Sequence, residues 1–285
     1  MTGHSRKTLI ISLATLIAVA AAAVLLPTSS QAWPVIPFRD PAQNVAAKSV
    51  GVTEPAAVDG VAHWLDAMSE NNRAVDSSSI PELSSTRDRT LMFSDEFDGT
   101  ALDESKWHPH YWWRDDAGGS TIAPNNELQW YQPDDVLVGD GSLLLRAQQR
   151  TVTNLEGQVY NFTSGVVTTG RDSWDDSAPD KFAFRYGYAE ARLRMPEGQG
   201  LWPAFWLLSA DQEWPPEIDV MEYLGNDPTS THMTVHFVSD GGTHQGIGDQ
   251  WTGPDFSSDW HTFAIDWRPD AIVWYVDGVE RNRFT

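Results

Sequence analysis

Cysteine is absent from the 285 residues, so no disulfide can staple the fold and no thiolate can hold a metal. A hydrophobic core must hold the structure alone, and the length gives room for one large β domain with extensions. Basic residues are scarce: 19 Lys and Arg stand against 40 Asp and Glu, a net charge of −21. That balance argues against nucleic acid and against anionic membrane surfaces, and it suits a neutral partner. No internal repeat is apparent.

Against these shortages stand 14 Trp. Indole is flat, apolar and carries one N–H donor. A sugar ring presents apolar C–H faces between hydroxyls, so a Trp-rich cleft suits a polysaccharide. Trp112, Trp113, Trp202, Trp206 and Trp214 are the cleft candidates; the other Trp fit a core.

The N-terminal residues 1–32 have the pattern of a secretory leader. His4, Arg6 and Lys7 precede an apolar run, Leu9 to Leu26, with Ser12 and Thr15 as its only polar members. Ser30-Gln31-Ala32 then offers the small residues a signal peptidase reads, and cleavage is expected near Ala32. Retained, a run of about 18 apolar residues sits at the lower edge of membrane-spanning length. With the leader removed no stable membrane association is expected, and the protein is expected to be extracellular. Residues 33–89 differ from the remainder of the chain: four prolines interrupt an Ala/Val-rich stretch, one short helix is predicted over Val58 to Val75, and serine clusters at Ser77–Ser79 and Ser84–Ser85 read as a linker.

Residues 90–285 carry short strands separated by turns. In Phe184 to Met195, Tyr186, Tyr188, Glu190, Arg192 and Arg194 fall on one face and Gly187, Ala189, Ala191, Leu193 and Met195 on the other. Ser142 to Ala147 comes after a Gly139-Asp140-Gly141 turn, Thr262 to Trp267 is a further strand, and Ile272 to Val276 runs into Asp277-Gly278, a hairpin signal. Many short strands with little helix predict an all-β antiparallel sandwich or jelly roll.

The chemistry concentrates in Glu217-Ile218-Asp219-Val220-Met221-Glu222. Alternation points Glu217 and Asp219 to one face and Ile218 and Val220 to the core. It would send Glu222 to the back, unless a β-bulge adds one residue and returns it to the acidic face. Three carboxyls on one wall repel one another and raise their proton affinities, which an inert sheet has no use for. Glycoside hydrolysis with retention does: one carboxylate attacks the anomeric carbon, and a protonated carboxyl about 5–5.5 Å away serves the leaving oxygen. The inert alternative is a solvated edge strand, but Ile, Val and Met between the acids suit a buried one.

The hexapeptide resembles the signature of glycoside hydrolase family 16 in its bulged, laminarinase-like form. Phe93 to Gly99, Asn125-Asn126-Glu127-Leu128-Gln129-Trp130-Tyr131 and Gly198 to Leu208, with its Trp-Pro-Ala-Phe-Trp run, resemble the family too. The resemblance implies a concanavalin-like jelly-roll β-sandwich, with Glu217 as nucleophile, Glu222 as acid/base and Asp219 hydrogen-bonded to the nucleophile. His236, on the following strand, is a candidate partner for Asp219 or Glu222, or a structural bridge between strands. Trp202, Trp206 and Trp214 are candidates for stacking on sugar. Glu127 and Asn126 are candidates for sugar hydroxyls, Asn126 equally for a turn.

The chain departs from the family at Ser209 to Pro216, where a loop bordering the cleft is short, and at Thr285, reached just after a hairpin turn. The sandwich is therefore expected to lack its last strands, leaving Ile272 to Val276 without a neighbour. A structural calcium is common in the family; Glu96 and the backbone near Gly141 could contribute, but the late acidic ligand has no counterpart, so no metal is assigned and no cofactor is required. The implied activity is endo-hydrolysis of β-1,3 or mixed β-1,3/1,4 glucan by a monomer. A transglycosylase, a hydrolase of another bacterial exopolysaccharide and a lectin-like glucan-binding module remain alternatives, though a pure binder has no use for both Glu217 and Glu222.

Overall fold

Alternating burial lays out the sheets. In Gly187–Arg194 the odd-numbered residues are buried and the even-numbered ones are not, so one face packs inward along the whole strand. The computed structural model describes residues 15–23, 44–55, 89–175 and 177–285. The predicted helix over Val58 to Val75, the serine linker and the cleavage point at Ala32 lie outside the described residues.

The strands in chain order are β1 (Thr15–Ala23), β2 (Asn44–Pro55), β3 (Arg89–Asp95), β4 (Gln129–Tyr131), β5 (Val136–Gly139) and β6 (Ser142–Arg146). Next come β7 (Val152–Thr153), β8 (Val159–Tyr160), β9 (Phe162–Ser164), β10 (Val166–Thr168), β11 (Gly187–Arg194) and β12 (Leu201–Ser209). The last are β13 (Glu217–Glu222), β14 (Ser230–Val238), β15 (His244–Thr252), β16 (His261–Trp267), β17 (Ile272–Val276) and β18 (Val279–Phe284). A six-stranded sheet has the order β10-β1-β12-β13-β14-β15. An eight-stranded sheet has the order β18-β17-β16-β11-β2-β6-β5, with β3 also on β2. Neighbours in both sheets are antiparallel, as the jelly-roll expectation requires.

The core lies between the two sheets. Phe205, Leu207, Ile218, Val220 and Val235 from the six-stranded sheet join Leu143, Ala189, Phe263, Ile265 and Trp274 from the other in one buried cluster. Two hairpins close on the dipeptides the sequence offers. Asp140-Gly141 joins β5 to β6 and Asp277-Gly278 joins β17 to β18, all four residues having positive φ.

The ends of the sheets differ from the sequence expectation. Ile272 to Val276 does not lack a neighbour: β17 pairs with β16 on one side and β18 on the other, because the chain after Gly278 returns as a strand. Two N-terminal segments occupy interior places. β1, inside the leader-like segment, runs between β10 and β12 and pairs along Thr15 to Ala23 with β12. β2 lies between β11 and β6 in the other sheet.

Candidate active site

The six-stranded sheet turns its second face to a cleft of about 640 Å³. On β12 the even residues Trp202, Ala204, Trp206 and Leu208 line it, while Phe205 and Leu207 go to the core. On β13 the expected bulge is present. Phe205 pairs with Met221 and Trp206 with Asp219, so Val220 is the extra residue. Its effect is to return Glu222 to the cleft face beside Glu217 and Asp219, all three lining the same space. Ile218, Val220 and Met221 are all buried in the core. A bulge interrupts the ladder, and the carbonyl of Asp219 is capped from the opposite sheet, where Trp274 Nε1 of β17 donates to it at 2.8 Å.

Each acid has its own partner. Trp202 Nε1 donates to Glu222 Oε1 at 3.1 Å, and Trp214 Nε1 donates to Glu217 Oε2. His236 Nε2 of β14 lies 3.3 Å from Asp219 Oδ2, in contact but without the alignment of a good hydrogen bond. Glu217, Asp219 and His236 offer polar atoms that all lie within 4.8 Å of one another. His236 thus stands beside Asp219, one of the two acids the sequence offered it.

Burial governs the electrostatics. Asp219, 2% exposed, is held well above the ordinary carboxyl range by desolvation and then by the charge of Glu222. Glu217 is raised by desolvation and then by Asp219, against which the Trp214 N–H and His236 act. Glu222 is raised to about 7 by desolvation and then by Glu217. The trio therefore keeps protons at neutral pH. Asp219, the deepest, is where burial favours the neutral form most. A hydrogen bond between the two carboxyls raises the proton affinity of Glu217 and lowers that of Asp219, and Glu222, raised to about 7, exchanges its proton near neutral pH.

Aromatic rings make the floor and walls. Trp206 packs with Tyr111, Trp112, Tyr131 and Val166 on the cleft side of the sheet. Tyr111 stacks on Trp113 with centroids 4.2 Å apart and planes 8° apart. Trp214, 56% exposed, stands at the rim beside Glu217. Glu127 is in the wall, raised to about 7 by desolvation, its Oε2 accepting from Ile122 N at 3.1 Å and Gln129 Nε2 at 2.9 Å. Asn126 is corrected. It is exposed, sits at φ 55° as the left-handed cap of a 3-10 turn, and does not line the cleft; its neighbour Asn125 does. Asn tolerates that conformation because its short polar side chain can bond locally, and the turn holds Asn126 outside the cleft lining. Sequence reasoning missed Trp274, Tyr111 and His244; only Tyr111 carried a signal, its position beside Trp112 and Trp113.

A bulged acidic strand over an aromatic cleft matches known sequences. Glycosyl hydrolases family 16 matches residues 140–285, just over half of the chain. The chain belongs to this family. An overlapping match, to beta-glucan synthesis-associated protein SKN1/KRE6/Sbg1, covers residues 2–210. Among family 16 relatives, an endo-1,3-1,4-beta-glycanase of Rhizobium meliloti (strain 1021) is 38% identical over 181 residues, 58% of this chain and 37% of that protein. A beta-glucanase of Rhodothermus marinus is 36% identical over 209 residues, 68% of this chain and 65% of that one. Among solved structures, the catalytic domain of an endo-1,3-beta-glucanase (laminarinase) from Thermotoga petrophila RKU-1 superposes with a TM-score of 0.57 at 33% identity, over 69% of this chain and 77% of that one. The chain spans 37% and 42% of the length of the first two curated relatives.

Proposed function

We propose that the protein is a secreted, retaining endo-β-glucanase that cleaves β-1,3 or mixed β-1,3/1,4 linkages by double displacement. The observation that carries this is the bulge at Val220, which puts Glu217 and Glu222 on one cleft wall with Asp219 between them. Glu217 attacks the anomeric carbon as the glycosidic bond breaks, and the Glu222 proton goes to the leaving oxygen. Glu222, now ionised, takes a proton from water, whose oxygen displaces Glu217 and restores both groups. Protein carboxyls supply every step. The names of the glycanase and laminarinase relatives support a β-glucan substrate, and the net charge of −21 suits a neutral polymer.

Export rests on the leader-like segment 1–32. Residues 15–23 also form β1, so cleavage at Ala32 and that strand are alternative fates of the same residues.

The test is proton NMR of the first products released from laminarin and lichenan. Retention predicts a β-configured new reducing end. An initial α-anomer would mean inversion, which needs the carboxyls about 6.5–9.5 Å apart. One observation favours a second reading: the match to a family described as beta-glucan synthesis-associated. A sugar hydroxyl can intercept the covalent intermediate in place of water. Products longer than the supplied oligosaccharide would mark transglycosylation.

A further inference from the structure

The catalytic wall does not end at His236. His244, at the start of β15 and exposed, places its Nε2 3.0 Å from His236 Nδ1, with the two rings only 16° from parallel. The rim residue Trp214 lies against the same ring, its centroid 4.7 Å from that of His244. The backbone makes room for this pair. His236 is opposite Gly246 in the β14–β15 ladder, and a Cβ there would stand 3.1 Å from both Nδ1 and Cε1 of His236. With a Cβ at that place the His236 ring would have to give by a few tenths of an ångström, so the glycine leaves the ring room to lean toward β15 and meet His244.

A neutral imidazole carries one proton, and the hydrogen bond at one nitrogen decides which nitrogen holds it. We propose that His244 is a positioning residue for glycosidic cleavage: by donating Nε2–H to His236 Nδ1 it holds His236 as the Nε2–H tautomer, turned toward Asp219. This inference rests on the double-displacement reading. The charged and titratable groups facing His236 are Asp219, Glu217 and Glu222 from β13 and His244 from β15. With Nε2–H turned toward Asp219 Oδ2, that oxygen is offered a donor, and the proton shared by Asp219 and Glu217 stays between their two carboxyls. The other tautomer turns a bare nitrogen lone pair toward Asp219 and draws the shared proton toward His236, away from Glu217. The nucleophile then loses a donor and is more readily protonated.

Replacing His244 should therefore move the acidic limb of the kcat/KM profile to higher pH, because Glu217 takes up its proton sooner. Of three variants in the full chain, His244→Ala should lose about tenfold in kcat/KM below neutral pH, with little change in KM, as is usual when the partner orienting a functional imidazole is removed. His244→Gln, whose amide can still donate to Nδ1, should recover most of the loss. Gly246→Ala should reproduce it by displacing the His236 ring. Added imidazole should restore part of the His244→Ala activity. An acidic limb and kcat unchanged in both His244→Ala and Gly246→Ala would overturn the proposal, because a merely structural contact leaves the pH profile where it was. Nitrogen-15 NMR of the wild-type histidines gives a readout independent of turnover and of variant folding. A proton on His236 Nε2 supports the proposal, and a proton on Nδ1 refutes it. If the wild-type protein cleaves no glucan, the assigned function fails while the tautomer assignment is still decided by NMR.

Discussion

Trp274→Phe separates the two jobs of one core side chain. Trp274 is 1% exposed, fills the space between the sheets, and donates to the Asp219 carbonyl at 2.8 Å. Phenylalanine keeps an aromatic ring but removes the N–H and part of the volume. A buried carbonyl left without its donor costs about 1–3 kcal/mol, and the lost ring volume adds on the order of 1 kcal/mol. The sum of about 2–4 kcal/mol is less than the 5–15 kcal/mol that typically holds a domain, so the protein should fold with a lower melting temperature. The effect on turnover should exceed what stability explains. The capped carbonyl belongs to the residue just before the bulge, and the bulge turns Glu222 toward the cleft. A displacement of about 1 Å at such a group costs roughly 100-fold in rate, so kcat on laminarin should fall about 10- to 100-fold with KM nearly unchanged. Trp267→Phe is the control. Trp267 is equally buried, and its indole nitrogen has no partner among the described residues, so the same truncation removes volume without removing a hydrogen bond. Equal losses of melting temperature and equal kcat in the two variants would refute the idea that Trp274 holds the bulge.

The same geometry sets three other outcomes. Because Glu222 is raised to about 7, kcat/KM should decline as pH climbs through that value and the acid loses its proton; Glu222→Gln should abolish this limb and spare substrates with very good leaving groups, measured as pH–rate profiles on two aryl glucosides. Glu127 is raised from 4.5 to about 7, so the native state keeps its proton longer than the unfolded chain, and the stability this gives is fully present below about 4.5 and lost as pH rises through 7. Glu127→Gln, neutral throughout, should therefore gain on wild type at pH 8 by an amount on the order of 3 kcal/mol at most and gain nothing at pH 4; equal melting differences at both values would contradict it. Trp206→Ala should raise KM and lower the melting temperature together, removal of a large buried aromatic costing about 3–5 kcal/mol, and a change in neither would show that the ring serves neither cleft nor core.

The parts of this site that were legible in the sequence are those set by local periodicity. Ile218 and Val220 declare the buried face of β13, and the parity conflict at Glu222 points to an extra residue, which the ladder to β12 then places at Val220. The Asp-Gly turns were equally local. What the sequence did not show depends on register between strands. His236 meets His244 because β14 and β15 pair Val238 with His244 and His236 with Gly246, and a change of one residue in that pairing would turn His244 to the other face. β15 is exposed along almost its whole length, so no alternation marks its inward face. Trp274 was invisible for a similar reason: its hydrogen bond crosses the core between residues 55 apart, and nothing near either residue announces the other. Asn126 shows the reverse failure. An Asn beside a Glu in an aromatic segment suggests sugar contact, but a positive φ settles where its side chain goes, and that angle comes from the turn.

The two interior N-terminal strands mark the sharpest limit of composition. Leu9 to Leu26 is apolar and uncharged, which a leader requires, and a strand in the middle of a sheet accepts the same composition. Pairing decides what composition cannot. β1 meets β12 along Thr15 to Ala23 and β10 along Ala18 to Ala20, so the space between those strands is a ladder with two faces to satisfy. An empty place there would leave facing rows of N–H and C=O groups unpaired, next to the strand that carries Trp202 and Trp206. Whatever strand fills it sets the position of β12, and β12 sets the position of Glu217, Asp219 and Glu222 through its own ladder to β13. The geometry of the acids is thus tied to a strand remote from them in sequence, and an alternating pattern of charge along β13 carries no trace of that dependence.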